Sequence, residues 1–164
     1  MLEEQRFDPR IHDGRAFNCG TPALNEYLAR FATQHRRRGL TQIYVLVGPE
    51  TPSRVVGYYT LSAAQLDTRQ ISEDRRQRLP RFPLPCFRMG RLAVDQDSTF
   101  WKGQGFGKRL LGLAVERCLR AREEVAAYAL VVDAKDENAA SFYRHYGFIA
   151  CVDSPATLYL PFGR

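Results

Sequence analysis

Apolar and polar positions follow two different arrangements along the chain, and the change falls near its middle. In the first half, apolar residues recur at three- and four-residue spacing over residues 22–38, which predicts an amphipathic helix with Pro22 at its first position. Alternating apolar runs at residues 42–48 and 55–61, the second reaching as far as residue 66, predict two strands joined by a proline-containing turn. Antiparallel pairing is therefore expected in this half.

The second half repeats a strand–helix order, which favours parallel pairing of its strands. In the helix predicted over residues 137–146, Asp136 is expected to cap the start and Gly147 to end it in the left-handed conformation. The other predicted elements are an arginine-rich helix at 72–79, a strand at 87–94, a helix at 106–122, a strand at 128–133 and closing strands at 148–151 and 157–160. A mixed sheet flanked by helices, in the α/β (α+β mixed sheet) class, fits both halves.

Length and composition are those of a soluble globular protein. The chain has 164 residues, of which 45% are hydrophobic and 26% charged, so we expect one domain over residues 1–164. No apolar run approaches the roughly 20 residues that span a bilayer, and the first residues lack the apolar segment of a signal peptide. A cytoplasmic protein with no membrane partner is expected.

The positive charge is clustered. The net charge is +6, and arginines concentrate at residues 36–38 and again between residues 69 and 88. Such clusters attract polyanions such as tRNA, membrane surfaces or acidic proteins, although a solvated face is the alternative. The composition permits nucleic-acid binding without showing it.

Four cysteines are spread along the chain as Cys19, Cys86, Cys118 and Cys151, with no C-x-x-C pair. Free thiols are expected, and a metal site is not. None of the four has a histidine nearby in sequence, so a covalent acetyl-cysteine intermediate is not favoured.

A glycine-rich segment is the most distinctive feature of the sequence. Residues 101–111 read Trp-Lys-Gly-Gln-Gly-Phe-Gly-Lys-Arg-Leu-Leu, with three glycines at alternate positions between a predicted strand and a predicted helix. Glycine lets the backbone approach a ligand closely, and the first amides of a helix lie unpaired at the positive end of its dipole. The segment predicts a cradle for a phosphate group. A glycine-rich turn before a surface helix is the structural alternative.

Two familiar phosphate motifs fail on spacing. In the nucleotide P-loop the first glycine would fall at Lys102, and Arg109 stands where Ser or Thr must hold magnesium. In the dinucleotide motif the third glycine would fall on Lys108 or on Leu110, depending on which glycine comes first.

The pattern that remains is [Q/R]-x-x-G-x-[G/A], with Lys102, Gly105 and Gly107 at its defined positions. It resembles the acetyl-CoA pyrophosphate loop of the GNAT N-acetyltransferase superfamily, although Lys102 replaces the usual Gln or Arg. Residues 90–95, Gly-Arg-Leu-Ala-Val-Asp, resemble the strand that carries the pantetheine arm in that family. Residues 138–148, Asn-Ala-Ala-Ser-Phe-Tyr-Arg-His-Tyr-Gly-Phe, resemble its helix that closes over the thioester.

The resemblance implies a GNAT fold, whose mixed sheet splays at the acetyl-CoA cleft between the strand before the loop and the strand at 128–133. Acetyl-CoA is then the cosubstrate, and no metal is implied. The implied cofactor-binding residues are Leu92, Ala93, Val94, Lys102, Gly103, Gln104, Gly105, Phe106, Gly107, Lys108, Asn138 and Phe142.

Acetyl transfer from a thioester to an amine needs a proton for the leaving thiolate. The resemblance places a tyrosine, here Tyr143, beside the sulfur, and a phenol with a pKa near ~10 is protonated at pH 7. Tyr143 is the expected catalytic acid, whereas spacing alone also allows a packing role beside Phe142 and Tyr146. A free α-amine has a pKa near ~8, and an aminoacyl ester should lower that pKa, so a strong general base is not required.

The N-terminal half narrows the resemblance to one branch. Residues 17–20 (Phe-Asn-Cys-Gly), 23–28 (Ala-Leu-Asn-Glu-Tyr-Leu) and 56–61 (Val-Gly-Tyr-Tyr-Thr-Leu) look like the TacT-like toxins of bacterial toxin–antitoxin operons, which acetylate the α-amine of aminoacyl-tRNA. This implies aminoacyl-tRNA as acceptor, an antitoxin with a ribbon-helix-helix head as partner, and a homodimer. The residues expected to contact acceptor-stem phosphates are Arg36, Arg37, Arg88 and Arg91.

Two other functions stay open at this point. One is a GNAT enzyme for a protein terminus, a lysine or a small-molecule amine. The other is a CoA- or RNA-binding module without catalysis, against which the presence of Tyr143 argues. The arginine clusters favour a polyanionic acceptor.

Overall fold

The computed structural model describes residues 1–96 and 105–163. Its helices and strands in chain order are β1 (Glu3–Arg6), α1 (Pro22–Glu26), a π-helical turn (Tyr27–Phe31), α2 (Ala32–Arg37), β2 (Gln42–Val47), β3 (Gly57–Leu66), a 3₁₀ turn (Thr68–Gln70), α3 (Glu73–Arg76), β4 (Leu84–Met89), β5 (Leu92–Val94), α4 (Phe106–Ala121), β6 (Ala129–Asp133), α5 (Glu137–His145), β7 (Ile149–Ala150) and β8 (Thr157–Pro161).

The chain forms two compact units. The first comprises Met1–Ser62 and Arg91–Ala114, and the second Ala63–Gly90 and Val115–Arg164. Strand β3 and helix α4 each begin in the first unit and continue into the second. Because a compact unit need not fold alone, the single domain expected over residues 1–164 stays a prediction.

The first unit holds antiparallel strands. β2 pairs with β1 on one side and with β3 on the other, and β5 pairs with β3, all antiparallel. The hairpin predicted from the alternating runs is confirmed. Strand β1 was not predicted because its sequence, Glu-Glu-Gln-Arg, has no alternation of apolar and polar residues. It becomes a strand by hydrogen bonding to the buried β2.

The helix predicted over residues 22–38 is confirmed from Pro22 to Arg37, but its middle is a π-helical turn in which the Ala32 amide bonds to the Tyr27 carbonyl. The wider turn moves the buried face by one residue. Ala32 is therefore fully buried, whereas Phe31, which the helical spacing assigns to the core, is 41% exposed. The core of this unit consists of Phe7, Phe17, Tyr27, Leu28, Ala32, Ile43, Val45, Val47, Val55, Tyr58 and Ala93.

The second unit contains the parallel pair. β4 runs parallel to β6, and β8 pairs antiparallel with β6 and with β7. The mixed α/β class is confirmed, since parallel and antiparallel pairs occur in one fold with helices. Leu66, Ile71, Leu84, Cys86, Ala129, Val131, Cys151 and Tyr159 form a core cluster of this unit.

The strand predicted over residues 87–94 is two strands, which corrects the sequence expectation. β4 lies between β3 and β6 in the sheet, and its parallel pairing with β6 ends at the partners Met89 and Val132. β5 also pairs with β3, but it lies outside this strand order, and Gly90 and Arg91 separate it from β4. Residues 84–94 are apolar enough to resemble one strand, so the pattern alone gives no sign of the break.

Candidate active site

The glycine segment begins helix α4. Gly105 has a φ of +69°, in the left-handed region that favours glycine, and a Cβ placed on it would meet no atom of the described residues within 4 Å. Phe106, Gly107 and Lys108 form the first turn of a 16-residue helix, at the positive end of its dipole. Lys102, Gly103 and Gln104 lie outside the described residues. The described part thus has the open turn and the helix start that a phosphate cradle requires.

Strand β5 offers backbone amides on one edge. The Asp95 amide donates to the Val56 carbonyl at 2.8 Å, and the Thr60 amide donates to the Arg91 carbonyl at 3.1 Å. Because hydrogen-bonded pairs alternate along an antiparallel ladder, the Leu92 and Val94 amides point away from β3. These two amides can donate to a ligand.

Ala93 occupies the alternate position in the same strand. The ladder pairs it with Tyr58, and its side chain is 5% exposed within the core of the first unit. The ladder uses its amide, so we expect Ala93 to hold the strand in place rather than to donate to the cofactor.

Helix α5 is fixed at both ends as the sequence predicts. Asp136 Oδ1 accepts from the Ala139 amide at 2.8 Å, and Gly147 has a φ of +94°. The Phe148 amide then donates to the Tyr143 carbonyl at 3.1 Å, which closes the last turn. Cap and glycine together set the position of the tyrosine that the sequence singles out.

Tyr143 is 7% exposed and packs against aromatic rings. Its ring centroid lies 5.4 Å from that of Phe142 and 5.3 Å from that of Phe148. Among the described residues its hydroxyl has no hydrogen-bond partner, which is unusual for a buried polar group and consistent with one that bonds a ligand. Phe142 is half-buried between Tyr143 and Tyr146, and Asn138 is exposed in the first turn of α5.

Burial raises the pKa of Tyr143 to about 12, and the nearby Asp133 carboxylate adds to the rise. The folded protein therefore keeps this phenol protonated throughout the neutral range. A protonated phenol can donate a proton, and it is a poor base, so the environment suits the acid role.

Asp133 is a functional candidate that the sequence reasoning missed. It lies at the end of β6, where the Arg88 guanidinium forms an ion pair with it and Thr157 Oγ1 donates to it at 2.9 Å. Polar residues at the end of a parallel strand are a signal that could have singled it out. Because Arg88 is paired with Asp133, less of its charge is available to an RNA phosphate than the sequence suggests.

The other three candidate arginines belong to the first unit. Arg36 and Arg37 are exposed in the last turn of α2. Arg91 is half-buried, with its Cζ atom 3.4 Å from the centroid of the Tyr27 ring. The sequence gives no sign of this stacking, since 64 positions separate the two residues.

The buried thiols do not suit nucleophilic catalysis. Burial raises the pKa of Cys86 to about 11 and that of Cys118 to about 12, so both are protonated at neutral pH. Cys151 is buried as well, and Cys19 is partly buried. The described residues include no group of three or more His, Cys, Asp or Glu side chains placed to hold a metal ion. Within the same residues, no helix is both long and apolar enough to cross a membrane.

The family follows from comparison with known proteins. The acetyltransferase (GNAT) domain family matches residues 71–157, which include β4, β5, α4 and α5. The chain belongs to the GNAT acetyltransferases, and it is an N-acetyltransferase that uses acetyl-CoA. Among its relatives is the tRNA-acetylating toxin of Mycobacterium tuberculosis, which is 30% identical over 148 residues, or 90% of this chain and 85% of the toxin.

Solved structures agree with this assignment. A crystal structure of a tyrosine-to-phenylalanine mutant of KacT superposes with a TM-score of 0.88 at 30% identity, covering 98% of this chain and 94% of that one. AtaT complexed with acetyl-methionyl-tRNAfMet gives a TM-score of 0.88 at 28% identity, covering 98% and 95% of the two chains. An AtaT mutant bound to acetyl-CoA and to the C-terminus of its antitoxin AtaR gives 0.81 at 27% identity, covering 98% and 92%. The predicted fold is confirmed over nearly the whole chain.

Proposed function

We propose that this enzyme transfers the acetyl group of acetyl-CoA directly to the α-amine of aminoacyl-tRNA, and that it blocks translation as the toxin of a toxin–antitoxin pair. The observation that carries the proposal is the similarity, over most of both chains, to a tRNA-acetylating toxin. The similarity to AtaT in complex with an acetylated aminoacyl-tRNA supports it.

The start of α4 is proposed to hold the pyrophosphate of acetyl-CoA. At the left-handed turn of Gly105, no atom of the described residues fills the space beside the backbone. The first-turn amides of Phe106, Gly107 and Lys108 lie at the positive end of a 16-residue helix. Lys108 is exposed and adds a full positive charge. Lys102, Gly103 and Gln104 are proposed to complete the cradle.

The amides of Leu92 and Val94 are proposed to bind the pantetheine arm and to polarise the thioester carbonyl. Both point away from β3, so neither is used by the ladder. A donor aimed at the oxygen that gains charge in the transition state contributes about 3 kcal/mol to lowering the barrier. The ladder from Ala93 to Tyr58 keeps the strand in place.

Tyr143 is proposed as the acid that serves the leaving group. The amine nitrogen bonds to the carbonyl carbon, the carbon–sulfur bond breaks, and the sulfur takes the phenolic proton of Tyr143. Water then accepts the proton that the new amide nitrogen loses and restores the phenol. The raised pKa of Tyr143 is compatible with this assignment, because the phenol carries its proton at neutral pH. Phe142 and Asn138, on the same helix, are proposed to line the CoA site.

The acceptor amine needs no strong base in this scheme. A free α-amine has a pKa near ~8, and the neighbouring ester lowers that pKa, so much of the amine is neutral at physiological pH. The enzyme therefore needs only to orient the acceptor. Arg36, Arg37 and Arg91 are proposed to bind its phosphates, and Arg88 to do so more weakly because Asp133 pairs with it.

The partners are proposed from the same relatives. AtaT has been solved with the C-terminus of the antitoxin AtaR, and KacTA has been solved as a complex with DNA. We infer an antitoxin with a DNA-binding ribbon-helix-helix head and an acidic, amphipathic tail that folds on binding the basic chain. A homodimer of the enzyme would let two such tails bind symmetrically. The cytoplasmic location expected from the sequence stays a prediction.

The proposed function is tested by measuring which acceptor the enzyme acetylates. Purified enzyme is incubated with labelled acetyl-CoA and, in separate reactions, with aminoacyl-tRNA, uncharged tRNA, free amino acids and a lysine-containing peptide. Label should enter aminoacyl-tRNA alone and should leave the RNA when the aminoacyl ester is hydrolysed. Transfer to the peptide or to free amino acids, with none to aminoacyl-tRNA, would overturn the proposal and leave the acetyltransferase assignment standing.

A further inference from the structure

We propose that Tyr27 and His35 are positioning residues, which hold the Arg91 guanidinium flat as a docking point for a phosphate of the acceptor RNA. This inference rests on the proposed function. It assigns a role to two residues that the chemistry of acetyl transfer does not require.

The stacking of Arg91 on Tyr27 is the central observation. The Cζ atom of Arg91 lies 3.4 Å from the ring centroid of Tyr27, and Tyr27 is 3% exposed. A guanidinium stacked on an aromatic face is held by cation–π attraction, while its N–H donors remain in the plane of the group and can still bond. The ring therefore fixes the plane of the guanidinium without using its donors.

The Arg91 guanidinium has no acidic partner among the described residues. Other arginines in the structure do have one: Arg88 pairs with Asp133, Arg30 with Glu26 and Arg120 with Glu116. Taking a charge partly out of water is costly unless it is paired, so a half-buried guanidinium with unused donors is suited to a bound anion.

Both sides of the stack are held in place. The Tyr27 hydroxyl is hydrogen-bonded to His35 Nδ1 at 3.0 Å, and the two rings meet edge to face with centroids 5.3 Å apart. On the other side, the Arg91 carbonyl accepts from the Thr60 amide at 3.1 Å. The π-helical turn that begins at Tyr27 is what presents this ring and keeps His35 within reach. The geometry therefore fixes the position of the guanidinium before any ligand arrives.

A phosphate of RNA fits this site better than an isolated carboxylate. The planar fork of a guanidinium matches two oxygens of a carboxylate or of a phosphate, so the charge around the site decides between them. His35 is followed in the chain by Arg36 and Arg37, both exposed, so the segment that holds Tyr27 also carries further positive charge suited to a polyanion. Arg91 is thus the pre-oriented member of a set whose other members are exposed arginines.

The test asks whether binding of the acceptor needs only the positive charge of Arg91 or also its planar, oriented guanidinium. Steady-state kinetics of the full chain are measured with aminoacyl-tRNA and with acetyl-CoA. Arg91→Lys keeps the charge and loses the planar fork, and we expect KM for aminoacyl-tRNA to rise about tenfold, with kcat and KM for acetyl-CoA within about twofold. Arg30→Lys, at an exposed arginine paired with Glu26, is the matched control and should leave all three constants unchanged. An unchanged KM for Arg91→Lys would overturn the inference.

The roles of Tyr27 and His35 are tested by changing each residue with Arg91 present and with Arg91 removed. Tyr27→Leu removes the stack and should raise KM for aminoacyl-tRNA about as much as Arg91→Lys does. His35→Leu and Tyr27→Phe keep the ring and remove its hydrogen bond, so each should raise KM by a few-fold; these variants carry the test if Tyr27→Leu does not fold. In an Arg91→Ala background the same changes should add nothing. Full additivity would show a general structural role and overturn the positioning role.

The outcome separates this inference from the function on which it rests. If the wild-type enzyme fails to acetylate any aminoacyl-tRNA, the proposed function is wrong, and the inference falls with it. If the wild type acetylates aminoacyl-tRNA while the Arg91 and Tyr27 variants keep its KM, the function stands and the positioning role alone is wrong.

Discussion

Tyr143 shows how burial sets the chemistry of a single residue. The ring is packed among Phe142 and Phe148, and desolvation is the largest cause of its raised pKa. Because the pKa is raised rather than lowered, the phenol stays protonated well above neutral pH. The same burial that makes Tyr143 part of a core thus keeps it in the protonated form that an acid role requires.

Removing the hydroxyl of Tyr143 tests this role. Tyr143→Phe keeps the ring and its packing, so the unfolding temperature and the affinity for acetyl-CoA should stay close to wild type. Turnover of aminoacyl-tRNA should fall about 100-fold or more, as is usual when a general acid is lost. Calorimetry gives the affinity and single-turnover kinetics the rate. A nearly unchanged rate would mean that water protonates the thiolate and that Tyr143 is a packing residue.

His12 makes stability depend on pH. It is 3% exposed, its Nδ1 accepts from the Asp8 amide at 2.9 Å, and its Nε2 lies 2.8 Å from Gln5 Oε1. Burial lowers the pKa of His12 below its ordinary value of 6.5, against the opposing effect of the Asp8 charge. The folded state then binds fewer protons than the unfolded state, so this stabilisation is present above pH 6.5 and is lost as pH falls below it.

We therefore expect the free energy of unfolding in urea to decrease between pH 7 and pH 5. The variant His12→Asn keeps an acceptor near the Asp8 amide and does not titrate, so its curve should be flatter across this range. Asp8 does not confuse the result, since its pKa is lowered from 3.8 and its effect belongs to more acidic solutions. Parallel curves for the two proteins would contradict the assignment.

At the scale of elements, the start of α4 joins a turn to a helix. The φ of +69° at Gly105 is strained for any residue with a side chain, and in the described part of the chain no atom lies within 4 Å of a Cβ placed there. Glycine is required here for two reasons. It allows the left-handed turn of the chain, and it leaves the backbone accessible to the cofactor, which is the functional reason.

Gly105→Val should abolish most of the binding of acetyl-CoA measured by calorimetry, because a branched side chain would occupy the space beside the backbone. Gly112→Ala is the matched control in the same helix: its Cβ would meet nothing within 4 Å, and Ala favours the helix by about 0.5–1 kcal/mol. It should bind acetyl-CoA normally with equal or higher stability. Circular dichroism shows whether each variant is folded. Normal affinity in a folded Gly105→Val protein would remove the cradle from the proposal.

The whole molecule carries an excess of positive charge, at +6, and the proposed acceptor is a polyanion. Each phosphate contact releases counterions, so tRNA binding should weaken linearly with the logarithm of the salt concentration. Reversing Arg36 and Arg37 to Glu should weaken binding and make that slope shallower by about 2. Affinity for acetyl-CoA should not change.

The control for this measurement reverses the charge of two arginines outside the proposed RNA-binding residues. Arg10 and Arg69 are exposed and ion-paired with Asp8 and Asp67, so their reversal to Glu should alter the slope less. Binding that does not depend on salt in the wild type would argue for an acceptor other than RNA.

Growth tests the function of the whole molecule. Expression of the wild-type chain alone in a bacterium should arrest growth and translation, whereas Tyr143→Phe, expressed to the same level, should not. Co-expression of the cognate antitoxin should restore growth. Normal growth with abundant, folded wild-type enzyme that binds acetyl-CoA would exclude a toxin and leave the acetyltransferase.

The sequence by itself determined the features that are local. Four features follow from residues a few positions apart: the order of most helices and strands, the Asp136 cap, the left-handed Gly147 and the family motif. They depend on backbone conformation and on which face is apolar. The prediction of Tyr143 as a candidate acid came from such a motif and stays a prediction.

Only the tertiary structure decided the features that join distant residues. Four contacts join segments far apart in the chain: the pairing of β5 with β3, the pairing of β1 with β2, the ion pair of Arg88 with Asp133 and the stack of Arg91 on Tyr27. The pKa of Tyr143 belongs with them, since burial sets it. A sequence pattern records which residues prefer to be buried, whereas hydrogen bonding and desolvation depend on what folds against them.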